Sequence, residues 1–193
     1  MPLRVIAGSA RGVQLRTPRG DATRPSSARL RESLFGILEA ADADLSSVLD
    51  LYAGSGALGI EALSRGEGRC LFVESSRRVC RVLRDNLQRA GVGDRGSVVA
   101  ARVERWRPPE GERFTLVLAD PPYGDGAAWR AIERVIEGAM APDALIAVEH
   151  AARNPAPAVL GGCPVWRRRR QGDGAIAAYR CPTAGAVREG RSA

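Results

Sequence analysis

From Val48 to Val148 the chain alternates short apolar runs with stretches of helical period, and few architectures accept that rhythm. Val48-Leu49-Asp50-Leu51, Leu71-Phe72-Val73, Val98-Val99-Ala100, Phe114 to Leu118 and Ala144 to Val148 read as strands. Between them Ala57 to Ser64, Arg77 to Arg89 and Trp129 to Ala139 read as helices. Val79, Val82, Leu83 and Leu87 share one face of the second, and Ile132, Val135 and Ile136 one face of the third. A strand that is apolar throughout cannot leave a side to water, so helices must cover both faces of a mostly parallel sheet. The fold class is therefore α/β.

The flanks read differently. Arg4 to Ala7 and Val13 to Leu15 enclose the turn Gly8-Ser9-Ala10-Arg11-Gly12, which predicts a short hairpin within a basic extension over residues 1–25. Ser26 or Ser27 can cap a helix with Leu30, Leu34, Ile37 and Leu38 on one side and Arg29 and Arg31 near its start. Val165-Trp166-Arg167 and Ala175 to Tyr179, separated by Gln171-Gly172-Asp173-Gly174, predict an antiparallel C-terminal hairpin that closes the main domain, residues 26–182. Residues 183–193 read as a disordered tail.

Charge is unevenly placed. Residues 1–31 hold seven arginines and one acid, a net +6; residues 151–193 hold eight arginines and two acids, again +6. The middle carries 14 arginines and 19 acids, so an acidic body bears two basic ends, and the chain has no lysine at all. Composition bias explains arginine in place of lysine better than it explains the clustering, which is the expected footprint of a polyanion. Nothing at the start resembles a signal peptide and no apolar run is long enough to span a bilayer, so the expectation is a cytoplasmic protein with no membrane partner, and a monomer. Cys70, Cys80, Cys163 and Cys181 form no C-x-x-C pair and read as buried free thiols. With His150 the sole histidine, no metal site is expected.

Two loops carry chemistry. Gly54-Ser55-Gly56-Ala57-Leu58-Gly59 follows the first buried strand and opens a helix. By itself this G-x-G-x-x-G is weak, because any tight strand-to-helix turn favours glycine. Asp50, four residues earlier, would repel a dinucleotide pyrophosphate but suits an ammonium group, directly or through water. Glu74 closes the next strand, where a carboxylate can accept from both hydroxyls of a ribose. An amino acid at one end and a ribose at the other describe S-adenosylmethionine; the plain alternative is a helix cap and a solvated strand end.

Asp120-Pro121-Pro122-Tyr123 follows the fourth strand, and loops at the carboxyl ends of such strands share one crevice. Proline lacks an N–H, so this stiff loop offers acceptors only, a carboxylate and a main-chain carbonyl. An exocyclic NH₂ of a base has two hydrogens for such a pair, and Tyr123 could stack on the ring. Holding both hydrogens aims the nitrogen lone pair at a methyl donor, so rate comes from orientation and from stabilising the positive charge that develops.

The stretch Asp50 to Gly66, Val73-Glu74, Asn86 and Asp120 to Tyr123, joined to Arg4 to Gly8, Arg11-Gly12 and Arg24-Pro25 through Arg29 to Glu32, resembles the RsmD family of bacterial methyltransferases acting on guanine N2 of 16S ribosomal RNA. The resemblance spans nearly all of residues 3–181. It implies a class I methyltransferase fold: a seven-stranded, mostly parallel sheet with an antiparallel C-terminal hairpin, plus an N-terminal hairpin and helix. It also implies S-adenosylmethionine as cofactor and the small ribosomal subunit, or an assembly intermediate of it, as partner. The candidate cofactor set is Asp50, Tyr52, Gly54, Gly56, Glu74, Ser75, Glu104 and Asp120; the candidate catalytic set is Asp120, Pro121 and Tyr123. Arg11, Arg24, Arg29 and Arg31 are the candidate RNA contacts. The family pattern is departed from after the third strand, where only Glu104 is available near the adenine, and at the dense run Arg167 to Arg170. Competing readings are a DNA adenine-N6 methyltransferase, for which 193 residues leave little room for target recognition, and a non-catalytic RNA-binding assembly factor. An NAD-dependent dehydrogenase would leave Asp50 and the proline loop without a role.

Overall fold

The computed structural model describes residues 2–18, 28–122 and 126–183. Its elements run α1 (Ala28–Ala40), β1 (Ser47–Leu51), α2 (Ala57–Arg65), β2 (Arg69–Glu74), α3 (Arg77–Arg89), β3 (Gly96–Ala100), a 3-10 turn at Val103–Arg105, β4 (Phe114–Ala119), α4 (Ala127–Ile136), β5 (Met140–Ala151), β6 (Val159–Leu160), β7 (Cys163–Gln171) and β8 (Gly174–Arg180). They build one sheet in the order β3-β2-β1-β4-β5-β8-β7-β6. The first five strands are parallel; β8 returns antiparallel to β5, and β7 antiparallel to β8. The α/β class with its antiparallel C-terminal hairpin is as expected. The count is eight, not seven, because β6 adds a two-residue edge pairing, Val159↔Pro164 and Leu160↔Cys163, too short to show as a periodic run.

Alternate residues of the buried strands feed two cores. Val48, Phe72, Leu116, Leu118, Ala147 and Ile176 join α1, α2 and α3 on one side. Leu49, Leu51, Val73, Val117, Ile146, Val148 and Tyr179 join α4 and the 3-10 turn on the other. Every residue of β1 is buried, which is why that strand shows no polar alternation.

The N-terminal hairpin is reduced to a single bridge, Arg4↔Gln14, flanked by main-chain bonds between Val5 and Val13 and between Leu15 and Leu3. It is held less by its own pairing than by α2. The buried Glu61 carboxylate accepts from the amides of Ile6 (2.7 Å) and Ala7 (2.9 Å). Ser64 Oγ donates to Ala7 O and accepts from Ala10 N, while Ser64 O accepts from Ser9 N. Gly8 permits this approach: its φ is +81°, and a Cβ there would stand 1.8 Å from Ser64 O.

The cysteines correct the sequence reading. Cys70 and Cys80 are buried free thiols, but Cys163 and Cys181 are joined in a disulfide with Cα atoms 4.3 Å apart. The first opens β7 and the second directly follows β8, so antiparallel pairing brings together positions that are 18 residues apart in sequence. No helix among the described residues is long and apolar enough to cross a membrane.

Candidate active site

The order of strands reverses between β1 and β4, with β2 and β3 on one side and β5 on the other, and this is where an open parallel sheet leaves a crevice. The two loops singled out from sequence leave these adjacent strands. Past Leu51 the chain turns sharply: Tyr52, Gly54 and Gly56 have φ of 57°, 54° and 83°. Gly56 cannot be replaced without movement, since a Cβ there would lie 2.1 Å from Leu83 Cδ1. The turn is fastened from behind by Asn86, fully buried on α3, whose Nδ2 donates to Ser55 O and Arg16 O while Oδ1 accepts from Arg16 N, all at 2.8–2.9 Å.

Asp50 is 1% exposed, and its Oδ2 accepts from Gly59 N at 2.9 Å. The carboxyl thus sits behind the loop and holds the start of α2. Burial pushes its pKa up to about 8, opposed by the Gly59 amide and reinforced by the charges of Asp120 and Glu74. Parallel pairing of β1 with β2 and with β4 sets Asp50, Glu74 and Asp120 at or beyond the carboxyl ends of adjacent strands.

Glu74, half-buried at the end of β2, accepts from Gly54 N (3.0 Å) through one oxygen and from Ser76 N (2.7 Å) through the other. It thus ties the glycine loop to the start of α3, with exposed Ser75 beside it. Tyr52 donates its hydroxyl to Glu104 Oε1 at 3.0 Å, and Arg134 Nη2 donates to Glu104 O, so α4 supports that residue. Asp120 is half-buried, and its amide donates to Leu51 O (3.4 Å), lashing the second loop to the root of the first. Pro121 is buried and Pro122 exposed. Asp50, Tyr52, Gly54, Gly56, Glu74, Glu104 and Asp120 are thereby gathered at one end of the sheet; Tyr123 and Arg24 lie outside the described residues.

The basic candidates divide. Arg11 and Arg29 are exposed. Arg31 is not a surface residue: it is 2% exposed, and its Nη2 donates to Arg4 O at 2.7 Å. Desolvation lowers its pKa, against the charges of Glu61, Glu149 and Glu32 that favour the guanidinium. It pins the N-terminal segment to α1, so a phosphate contact by this side chain is replaced by an internal one. Sequence reasoning gave no role to Glu61, Ser64 or Glu149, all buried. A usable signal existed for one of them: Glu61 interrupts the apolar run Leu58 to Leu63.

Comparison with known proteins gives the family and the fold. The family described as Conserved hypothetical protein 95 matches residues 3–180. The ribosomal RNA small subunit methyltransferase D of Escherichia coli K12 is 34% identical over 178 residues, covering 92% of this chain and 89% of that protein. Among solved structures, Escherichia coli yhhF, provisionally described as a methyltransferase, superposes with a TM-score of 0.80 at 33% identity, covering 95% of this chain and 99% of that one. An RNA methyltransferase from Salinibacter ruber in complex with S-adenosyl-L-homocysteine shares the fold at 17% identity, with a TM-score of 0.62 over 82% of this chain and 94% of that one. With a family model matching nearly the whole chain and a relative 34% identical over 92% of it, the chain is a member of the ribosomal RNA small subunit methyltransferase D family.

Proposed function

We propose that this protein transfers a methyl group from S-adenosylmethionine to the exocyclic N2 of a guanine in 16S ribosomal RNA, in the small subunit or an assembly intermediate. The observation that carries the reading is the bond from Asp120 N to Leu51 O together with the pairing of Leu51 with Ala119 and the bond from Gly54 N to the Glu74 carboxylate. These put an acceptor-only loop beside a glycine turn of the kind that admits a ligand to its backbone.

The residues fit the cofactor. Glu74 is half-buried with its carboxylate at the carboxyl end of β2, where a ribose can be bound through its hydroxyls, and the turn carries no side chain at Gly54 and Gly56. Tyr52, Ser75 and Glu104 would line the same cofactor site. S-adenosylmethionine supplies an electrophilic methyl on a sulfonium. Asp120 accepts one hydrogen of the target amine and the carbonyl of Pro121 the other, which holds the lone pair toward the donor and favours the cationic nitrogen of the transition state. Tyr123 stacks on the guanine, and water takes the proton after transfer. Arg11, Arg24 and Arg29 meet phosphates of the RNA.

The direct test is transfer of radiolabelled methyl to small subunits from cells lacking the protein, with duplex DNA in parallel. Label is expected in the subunits, and nuclease digestion followed by mass spectrometry should identify N2-methylguanosine. Label in adenine, or in DNA alone, would overturn the assignment. The cofactor role has its own test. Glu74→Ala should weaken S-adenosylmethionine binding by about 10- to 100-fold, since it removes hydrogen bonds to a charged acceptor. Calorimetry reads this directly, and an unaltered Kd would remove Glu74 from the site.

A further inference from the structure

At the far side of the sheet, β7 carries Arg167, Arg168, Arg169 and Arg170 in succession, all exposed. Its partner β6 pairs with Cys163 and Pro164 and Ala158 O accepts from Val165 N, so among the described residues the arginine half has no strand partner on that side. No salt bridge among the described residues engages any of the four. Arg167 lies 4.9 Å from the ring centroid of the exposed Trp166, and Arg180 of β8 lies 5.4 Å from the same ring, which extends the patch to a fifth arginine. Stacking of this kind holds a guanidinium in place at little cost in its hydrogen-bonding capacity.

The register shows where this edge stands relative to the proline loop. Arg168 pairs with Ala177, Ala177 with Val148, and Val148 with Ala119, the residue before Asp120. Three strand spacings separate them, about 14 Å at the usual inter-strand distance. Arg169 and Arg170 continue beside Ile176 and Ala175, whose β5 partners Glu149 and His150 extend past the last paired residue of β4. The arginine row therefore climbs to the same rim that bears Asp120. The pleat fans it to both sides: Arg167 and Arg169 stand opposite Ala178 and Ile176 of the α1 face, Arg168 and Arg170 opposite Ala177 and Ala175.

We infer that the β7 edge, Arg167 to Arg170, is a docking surface for the phosphate backbone of the ribosomal RNA whose target base enters at Asp120. This inference rests on the RNA reading above. Charge also blunts exposed strand edges against aggregation, but one or two charges suffice for that purpose. Four consecutive arginines without a salt bridge among the described residues, on a body whose central residues 32–150 are net acidic, instead concentrate attraction for a polyanion at the rim of the site. A protein strand adding to this edge would have to seat its own backbone between two fans of like charge.

The test uses the full chain with Arg167, Arg168, Arg169 and Arg170 all changed to Gln, and a control in which the exposed Arg81, Arg84, Arg107 and Arg113 are changed instead. Wild type and both variants are titrated by filter binding with small subunits from cells lacking the protein, over a series of salt concentrations. The edge variant should bind about 10- to 100-fold more weakly near physiological salt, with the slope of log K against log salt shallower by about three. The control should keep the wild-type slope, and both variants should bind S-adenosylmethionine as wild type does. An unchanged slope in the edge variant overturns the inference, including the case of weaker binding at constant slope, which would mark a protein contact. Equal slopes in the two variants overturn it as well, leaving only net charge. Wild-type labelling of the subunits is scored in the same preparations. Labelling with an unaltered edge variant sinks the edge alone, whereas absence of both labelling and binding sinks the RNA reading with it.

Discussion

Asp120→Ala is expected to lower methyl transfer to small subunits by about 10²–10³-fold in kcat, the loss typical when one preorganised partner of a developing charge is removed. The reason is geometric. The Asp120 amide, not its carboxyl, makes the bond to Leu51 O, so truncating the side chain leaves the loop attached to β1. Pro121, buried next to it, keeps the carbonyl in place. Cofactor affinity should therefore move by less than about threefold, while the target amine loses the acceptor that offsets its positive charge. Asp120→Asn retains an oxygen acceptor without the charge and should fall between wild type and Ala. Single-turnover kinetics with radiolabelled S-adenosylmethionine measure both quantities. Turnover in Asp120→Ala equal to wild type would mean that the carboxylate does not hold the amine.

Asn86→Ala should be the most damaging change that touches no substrate. One buried amide satisfies Ser55 O, Arg16 O and Arg16 N, and truncation leaves them without partners. Each unsatisfied buried group costs about 1–3 kcal/mol; since Arg16 lies near the surface and can recruit water, about 3 kcal/mol in total is expected. In a chain of this length that lowers Tm by about 6–12 °C. Because Ser55 is part of the glycine turn, S-adenosylmethionine affinity should fall too, although Asn86 lies behind the loop. Scanning calorimetry with and without cofactor checks both. A shift in Tm below about 2 °C would show that solvent or rearrangement replaces all three bonds.

The core of the sheet and both loops were legible because they rest on local chemistry. Leu49 and Leu51, buried on one side, and Val48 and Asp50, buried on the other, leave no polar alternation, and such a strand has few settings other than the middle of a parallel sheet. The glycines of the turn and the prolines after Asp120 are constrained by backbone geometry, which is a property of the residue itself. The burial of Arg31 and of Asp50 was not legible, for a common reason. Residue type suggests that a charge faces water or a ligand, whereas each is buried and held by a main-chain partner, Arg4 O for one and Gly59 N for the other. The β6 strand and the disulfide were invisible because both depend on how the C-terminal hairpin closes on itself.

Sequence by itself determined the parallel α/β core, the glycine turn between β1 and α2, the acceptor-only character of the proline loop and the basic ends, since periodicity, backbone freedom and charge are carried by the residues alone. Tertiary structure decided that Asp120 hangs from Leu51, that Glu61 and Ser64 bolt the N-terminal segment to α2 while Asn86 ties it to the glycine turn, and that the β7 arginines climb to the rim that bears Asp120. Each of these depends on the register between strands and helices distant in the chain, and no local pattern encodes which buried carboxylate or amide will meet which amide group once the layers have packed.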